Sequence, residues 1–337
     1  MNNRKSFITG IKSTTLSVNE KKFLQQYKPW GVILFSRNIT SLKQSKKLTV
    51  KIRKIFKDKN YPILIDQEGG RVNRLKKIFN TDSLTGEFFG KLYLNDKKKF
   101  YDFYKIFIKQ TSLLLKSIGA NINTLPVLDL KFKGSSSIIG DRSFSKDPKI
   151  VSKIGDICIR NFHSYKIGTV IKHIPGHGLA RVDSHKLTPT VNKNLKYLIK
   201  NDFSTFKKKS TFFAMTAHII YTNIDRINTA THSKKIIQLI RNHIKFKNII
   251  MSDDISMKSL KNSIKVNTIR AFDAGCDLVL HCNGNINEMN EIANFIEKKH
   301  YPITHQENLT SIIFKENKCD TKLIDEELKE LLIKVQE

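Results

Sequence analysis

Residues 172–185 read KHIPGHGLARVDSH, with three histidines, one lysine, one arginine and one aspartate in fourteen positions. Side chains of these types could bind a metal, cradle a phosphate or move a proton. A helical metal pair would need His173 and His177 on one face, but Pro175 and Gly176 between them break any helix. A phosphate loop of the G-x-x-x-x-G-K-[ST] kind is not matched. What remains is a flexible loop with Lys172-His173 at its base and Asp183-Ser184-His185 at its far end. A carboxylate two residues from a histidine in irregular chain can accept a hydrogen bond from one ring nitrogen. The other nitrogen is then left to handle a proton. Alone, such a D-x-H is more often surface decoration. Its scaffold must decide.

Other polar clusters follow short apolar runs. Asp66-Gln67-Glu68-Gly69-Gly70-Arg71 comes after YPILI, and Asp129 and then Gly140-Asp141-Arg142 come after ANINTLPVL. Thr216-Ala217-His218, Ser252-Asp253-Asp254 and His281-Cys282-Asn283 end three further runs. Eight runs recur in all, at 7–11, 31–35, 61–66, 120–128, 168–174, 211–218, 248–253 and 277–282. Each has the length of a strand buried on both faces. Between them lie helical patterns. SVNEKKFLQQY places Ser17 and Glu20 at capping-box spacing, and residues 192–206 repeat Leu195, Leu198, Ile199, Phe203 and Phe206 on one helical face. Residues 98–117 and 258–274 read the same way. Strand and helix alternating eight times predict an α/β fold, a (β/α)8 TIM-type barrel. It forms a single domain over residues 1–337, with a helical C-terminal tail from about residue 285. A doubly wound sheet would want a glycine fingerprint after the first strand, and none is present. In a barrel the polar clusters gather at one rim, where catalytic groups sit.

The chain has 337 residues, is 39% hydrophobic and carries a formal charge of +30. The charge suits nucleic acid or another anionic surface. Its lysines, however, are spread along the whole chain without an arginine-rich arm or aromatic interleaving, which favours diffuse surface charge and no specific nucleic-acid partner. No apolar run is long enough to span a membrane. The N-terminus lacks the pattern of a signal peptide, and the four scattered cysteines suggest neither disulfides nor structural zinc. The expectation is a cytoplasmic monomer with no cofactor and no metal.

The stretches GVILFSRN, IDQEGGRVNRL, PVLDL, IGDRSFSKDP, KHIPGHG, VDSH, MTAHIIY, MSDDISMK and AGCDLVLHCNG resemble, in order, the bacterial β-N-acetylglucosaminidases of glycoside hydrolase family 3 that act in peptidoglycan recycling. The resemblance spans roughly residues 7–285. It implies a barrel that removes terminal β-linked N-acetylglucosamine from muropeptides with retention of configuration. Asp253 would be the nucleophile, His185 the general acid/base and Asp183 its orienting partner. Asp66, Arg142, Lys172 and His173 would hold the sugar hydroxyls, with Arg74 a further candidate. Two departures stand out: Leu179-Ala180 replace the usual Asp-Thr after G-H-G, and Thr188 replaces an apolar residue. Other readings are a family 3 barrel acting on another β-glycoside or transferring the glycosyl group to phosphate. A different class is a catalytically dead barrel that binds nucleic acid or an anionic polymer.

Overall fold

The computed structural model describes residues 4–132, 134, 137–182 and 187–299. Each of the eight apolar runs forms a strand: β1 (Lys5–Gly10), β2 (Pro29–Leu34), β3 (Ile63–Ile65), β4 (Ile122–Asn123), β5 (Gly168–Ile174), β6 (Phe213–Thr216), β7 (Ile249–Asp254) and β8 (Leu278–His281). All are parallel, and β8 closes on β1 with Leu280 opposite Ile8. The result is a closed eight-stranded barrel in which every strand has two neighbours.

The two-residue period of a strand divides its side chains between two cores. Ile8, Trp30, Leu64, Ile122, Val170, Phe213, Met251 and Leu280, with alternate neighbours, form one cluster drawn from all eight strands. It contains no helical residue, so it fills the barrel interior. The intervening residues, such as Val32, Ile63, Ile171, Ala214, Ile250 and Val279, join a second cluster with the helices outside. This double burial explains why the strands are apolar at consecutive positions rather than alternate ones.

The helices are α1 (Val18–Tyr27), α2 (Leu42–Phe56), α3 (Gly86–Asn95), α4 (Lys97–Ile118), α5 (Pro148–Ser164), α6 (Leu195–Lys200), α7 (Lys234–Leu239), α8 (Ile264–Ala274) and α9 (Ile286–Lys299). The expected capping box opens α1, where Ser17 Oγ accepts from Glu20 N at 3.1 Å and Glu20 Oε2 accepts from Ser17 N at 2.8 Å. α9 packs on α8, β1 and α1, and Tyr27 of α1 donates its hydroxyl to Asn294 at 2.7 Å. No helix among the described residues is long and apolar enough to cross a membrane.

Two helices differ from the sequence pattern. Residues 192–206 give α6 and then a 3₁₀ turn, Asp202–Phe206, because the backbone at Asn201 leaves helical geometry at φ −110°, ψ −94°. Leu198, Phe203 and Phe206 are all buried on the same side, so their spacing does not reveal the break. Residues 258–263 are irregular, and α8 begins only after the Ser263 cap.

The loop after β5 is laid directly on the barrel. A Cβ at Gly178 would stand 2.1 Å from the Leu130 carbonyl oxygen, and one at Gly176 would stand 2.7 Å from Asp202 Cβ. Gly176 also has φ +147°, which side chains disfavour. The glycines of this stretch therefore serve close backbone packing. We expect Gly178→Ala to cost about 1–3 kcal/mol by overpacking, read as a lower urea midpoint. An unchanged midpoint would mean that the loop is not seated on the Leu130 carbonyl.

Candidate active site

The site begins with a charge buried at the barrel mouth. The Lys172 side chain near the end of β5 is 3% exposed, and its Nζ lies 3.1 Å from Asp66 Oδ1, 2.6 Å from Glu68 Oε1 and 2.9 Å from Thr124 Oγ1. β3 delivers Asp66 and Glu68, and the end of β4 delivers Thr124, which also donates to Asp66. The chain then turns at Gly69-Gly70 and pairs Gln67 with Asn73 in a short hairpin. Gln67 Oε1 accepts from Arg74 N at 3.0 Å, which sets Arg74 beside Asp66 with Nη2 3.0 Å from Oδ2. Arg142 arrives from the loop after β4 and grips Glu68 with two bonds of 2.8 Å, one from Nε and one from Nη2.

The electrostatics follow from this packing. Burial favours the neutral form of Asp66, but Lys172 and Arg74 outweigh it and hold the carboxyl well below the usual range. Glu68 is likewise opposed by burial yet lowered to about 2 by Arg142 and Lys172. Burial works against the Arg142 charge too, and Glu68 more than reverses that effect. Ionised acceptors alternate here with cationic donors, an arrangement that matches the paired donor and acceptor capacity of neighbouring sugar hydroxyls.

Asp129 organises the next sector. Its carboxylate accepts from the His177 backbone at 2.6 Å and the His173 backbone at 3.2 Å, and it meets His173 Nδ1 at 2.7 Å. An imidazole whose Nδ1 donates to a carboxylate presents Nε2 on its other edge. The His177 ring lies 5.5 Å from that of His173. Burial first and His173 second push its pKa down to about 4, so it stays neutral at neutral pH.

β7 ends in two adjacent carboxylates with separate surroundings. Asp254 Oδ1 accepts from Ser256 N at 3.0 Å, Ser256 Oγ at 2.8 Å and Cys282 N at 3.2 Å, so it braces the following turn. Asp253 Oδ1 accepts from Asp254 N at 2.8 Å. Around them, His218 beyond β6 is bound to Thr231 Oγ1 at 2.7 Å and to the Asp254 carbonyl at 3.0 Å. Burial lowers its pKa, against the nearby Asp253 carboxylate. The Cys282 thiol after β8 is raised by burial and then by the fields of Asp254, Asp66 and Asp253.

Of the residues expected from sequence, Asp66, Arg74, Arg142, Lys172, His173 and Asp253 come to this mouth. Asp183 and His185 lie outside the described residues. Glu68 and Asp129 are the partners that local reading misses as site residues, since no spacing announces a contact with Arg142 or His173. Both departures are accommodated: Ala180 is buried in the outer core with Leu179 packed against it, and Thr188 Oγ1 donates to the Ser259 carbonyl at 2.6 Å. Among the described residues, no group of three His, Cys, Asp or Glu side chains could hold a metal ion.

The chain is similar to known proteins in sequence and fold. Residues 8–311 match the family model described as glycosyl hydrolase family 3 N terminal domain. The chain is 31% identical over 302 residues to a protein named beta-hexosaminidase from Hydrogenovibrio crunogenus, covering 88% of this chain and 83% of that one. It is 33% identical over 287 residues to a beta-hexosaminidase from Nitrosomonas eutropha, covering 81% and 79%. The crystal structure of NagZ from Neisseria gonorrhoeae in complex with N-trifluoroacetyl-D-glucosamine superposes with a TM-score of 0.83 at 26% identity, covering 97% of this chain and 94% of that one. The chain thus belongs to glycosyl hydrolase family 3 and is a glycoside hydrolase.

Proposed function

We propose that the enzyme is a retaining exo-β-N-acetylglucosaminidase, acting in the cytoplasm as a monomer on muropeptide fragments of peptidoglycan. The observation that carries the reading is the division of labour at the end of β7. Asp254 is bound to its own turn, while Asp253 stands beside a mouth lined by Asp66, Lys172 and Arg74. The names of the relatives, and the N-acyl glucosamine bound by the Neisseria structure, support the choice of sugar.

In this mechanism Asp66, Arg74, Arg142, Lys172 and His173 hold the terminal sugar by its hydroxyls. Asp253 attacks the anomeric carbon, and the bond to the leaving oxygen breaks as His185, oriented by Asp183, gives that oxygen a proton. His185 then takes a proton from water, which attacks the glycosyl-enzyme and frees Asp253. The partner is thus a carbohydrate, and the positive surface needs no specific nucleic acid.

A panel of nitrophenyl glycosides tests the sugar preference, with the β-N-acetylglucosaminide expected to be cleaved fastest. Asp253→Asn should lower turnover by several orders of magnitude in a folded protein, because the amide cannot form the covalent glycosyl-enzyme. Asp254→Asn keeps an oxygen acceptor for Ser256 and should lose much less; the reverse ranking would exchange their roles. His185→Ala should slow disaccharide hydrolysis about 10²–10⁴-fold, the usual worth of general acid–base help. Its effect on glycosyl-enzyme formation from a nitrophenyl glycoside should be far smaller, since that leaving group needs no proton, and the intermediate should accumulate. Asp183→Ala should move the same way by a smaller factor. Equal losses of His185→Ala on both substrates, with no accumulating intermediate, would remove His185 from proton transfer.

A further inference from the structure

Beneath the loop that follows His173 and carries His177 lies a carboxyl group with no part in the scheme above. Asp202 opens the 3₁₀ turn after α6 and is 2% exposed. Neither of its oxygens has a hydrogen-bond partner among the described residues. Gly176 rests on it, close enough that a Cβ there would stand 3.3 Å from Asp202 Oδ1. The Gly176 carbonyl accepts from the buried Tyr221 hydroxyl. One residue further on, His177 N is held by Asp129. Asp202 is therefore part of the floor on which the loop lies.

No cation among the described neighbours compensates a charge there. Lys209, which leaves the same turn, is bound to Asp156 of α5 at 3.0 Å. On the segment continuing α7, Arg241 is bound to Asp277 at 2.7 Å, and His243 lies near Lys207 and Lys245. Among the described residues, the other ionisable groups whose charge bears on Asp202 are Tyr197 of α6, Tyr221 and Asp129. A buried carboxylate without a partner is strongly disfavoured, whereas the neutral acid is tolerated. Burial first and the Asp129 charge second push the Asp202 pKa up to about 8.

We infer that Asp202 is a positioning residue of the catalytic loop, an uncharged acid that supports Gly176 and through it His173 and His177, and that its ionisation releases the loop. The activity arm of the test rests on the glycosidase reading; the others do not. Asp202→Asn keeps the shape and cannot ionise. In the native enzyme kcat/KM for a nitrophenyl glycoside should fall as pH rises through about 8, and the variant should keep its neutral-pH activity and lose that limb. Trypsin cleavage after the exposed Arg181 should accelerate over the same range in the native protein only. For stability, an acid whose folded pKa lies above its unfolded value of about 3.9 contributes fully below that value. The contribution declines as pH rises towards 8. The melting temperature of the variant, less that of the native protein, should therefore widen from about pH 4 to about pH 8 and then level off. A gap independent of pH overturns the uncharged acid. A widening gap with an unchanged Arg181 cut and an unchanged alkaline limb overturns the positioning role. If neither protein cleaves any nitrophenyl glycoside, the glycosidase reading fails and the Arg181 cut alone decides whether the loop is released. Asp202→Ser serves all arms if the amide does not fold.

Discussion

The ammonium group of Lys172 is almost out of reach of water, and the architecture of the mouth depends on how its charge is answered. A buried ion without partners is far more costly than one held among opposite charges. Asp66 and Glu68 supply those partners, and each is balanced in turn by Arg74 or Arg142. These groups come from β3, the hairpin behind it, the loop after β4, and β5. A shift in any one of them leaves a neighbouring buried charge less fully answered. The barrel holds them in place by parallel pairing, with Ile65 opposite Asn123 and Asn123 opposite Thr169. The binding surface is therefore stiff because its own electrostatics tolerate one arrangement.

The strands were legible in the sequence because burial on both faces leaves a dense apolar signature, visible in GVILF and DLVLHC. The rim was legible too, since polar groups that interrupt such runs at the same end have one place to go in a barrel. The partnerships were not. Glu68 sits in E-G-G-R with nothing to say that it meets Arg142, seventy-four residues later, and Asp129 reads as a rim residue with nothing to say that it holds His173 and His177. The break at Asn201 was hidden for a related reason. Its apolar neighbours keep a helical rhythm while the backbone turns to bring Asp202 under Gly176. Periodicity reports which side is buried, and it is silent on which polar group must leave the register to reach a partner.

The same electrostatics constrain where a proton donor can come from. Asp66 and Glu68 are held ionised by lysine and arginine, and Asp129 is lowered by His173 and His177 against the effect of its burial. A carboxylate bound to cations in this way has no proton to give at neutral pH. Asp254 is engaged by Ser256, and His177 is kept neutral by its burial and by His173. Asp202 retains its proton at neutral pH, but it lies under the backbone of Gly176 rather than in the mouth. In the proposed mechanism Asp253 is the attacking carboxylate and so is not the donor. These conditions favour the proposed donor, one carried from outside this cluster. Residues 181–187 connect two anchored points, buried Ala180 on one side and Thr188, tied to Ser259, on the other. The proposed donor His185, with Asp183 two residues before it, belongs to that segment, and an imidazole is the side chain whose ordinary pKa lies closest to neutral pH.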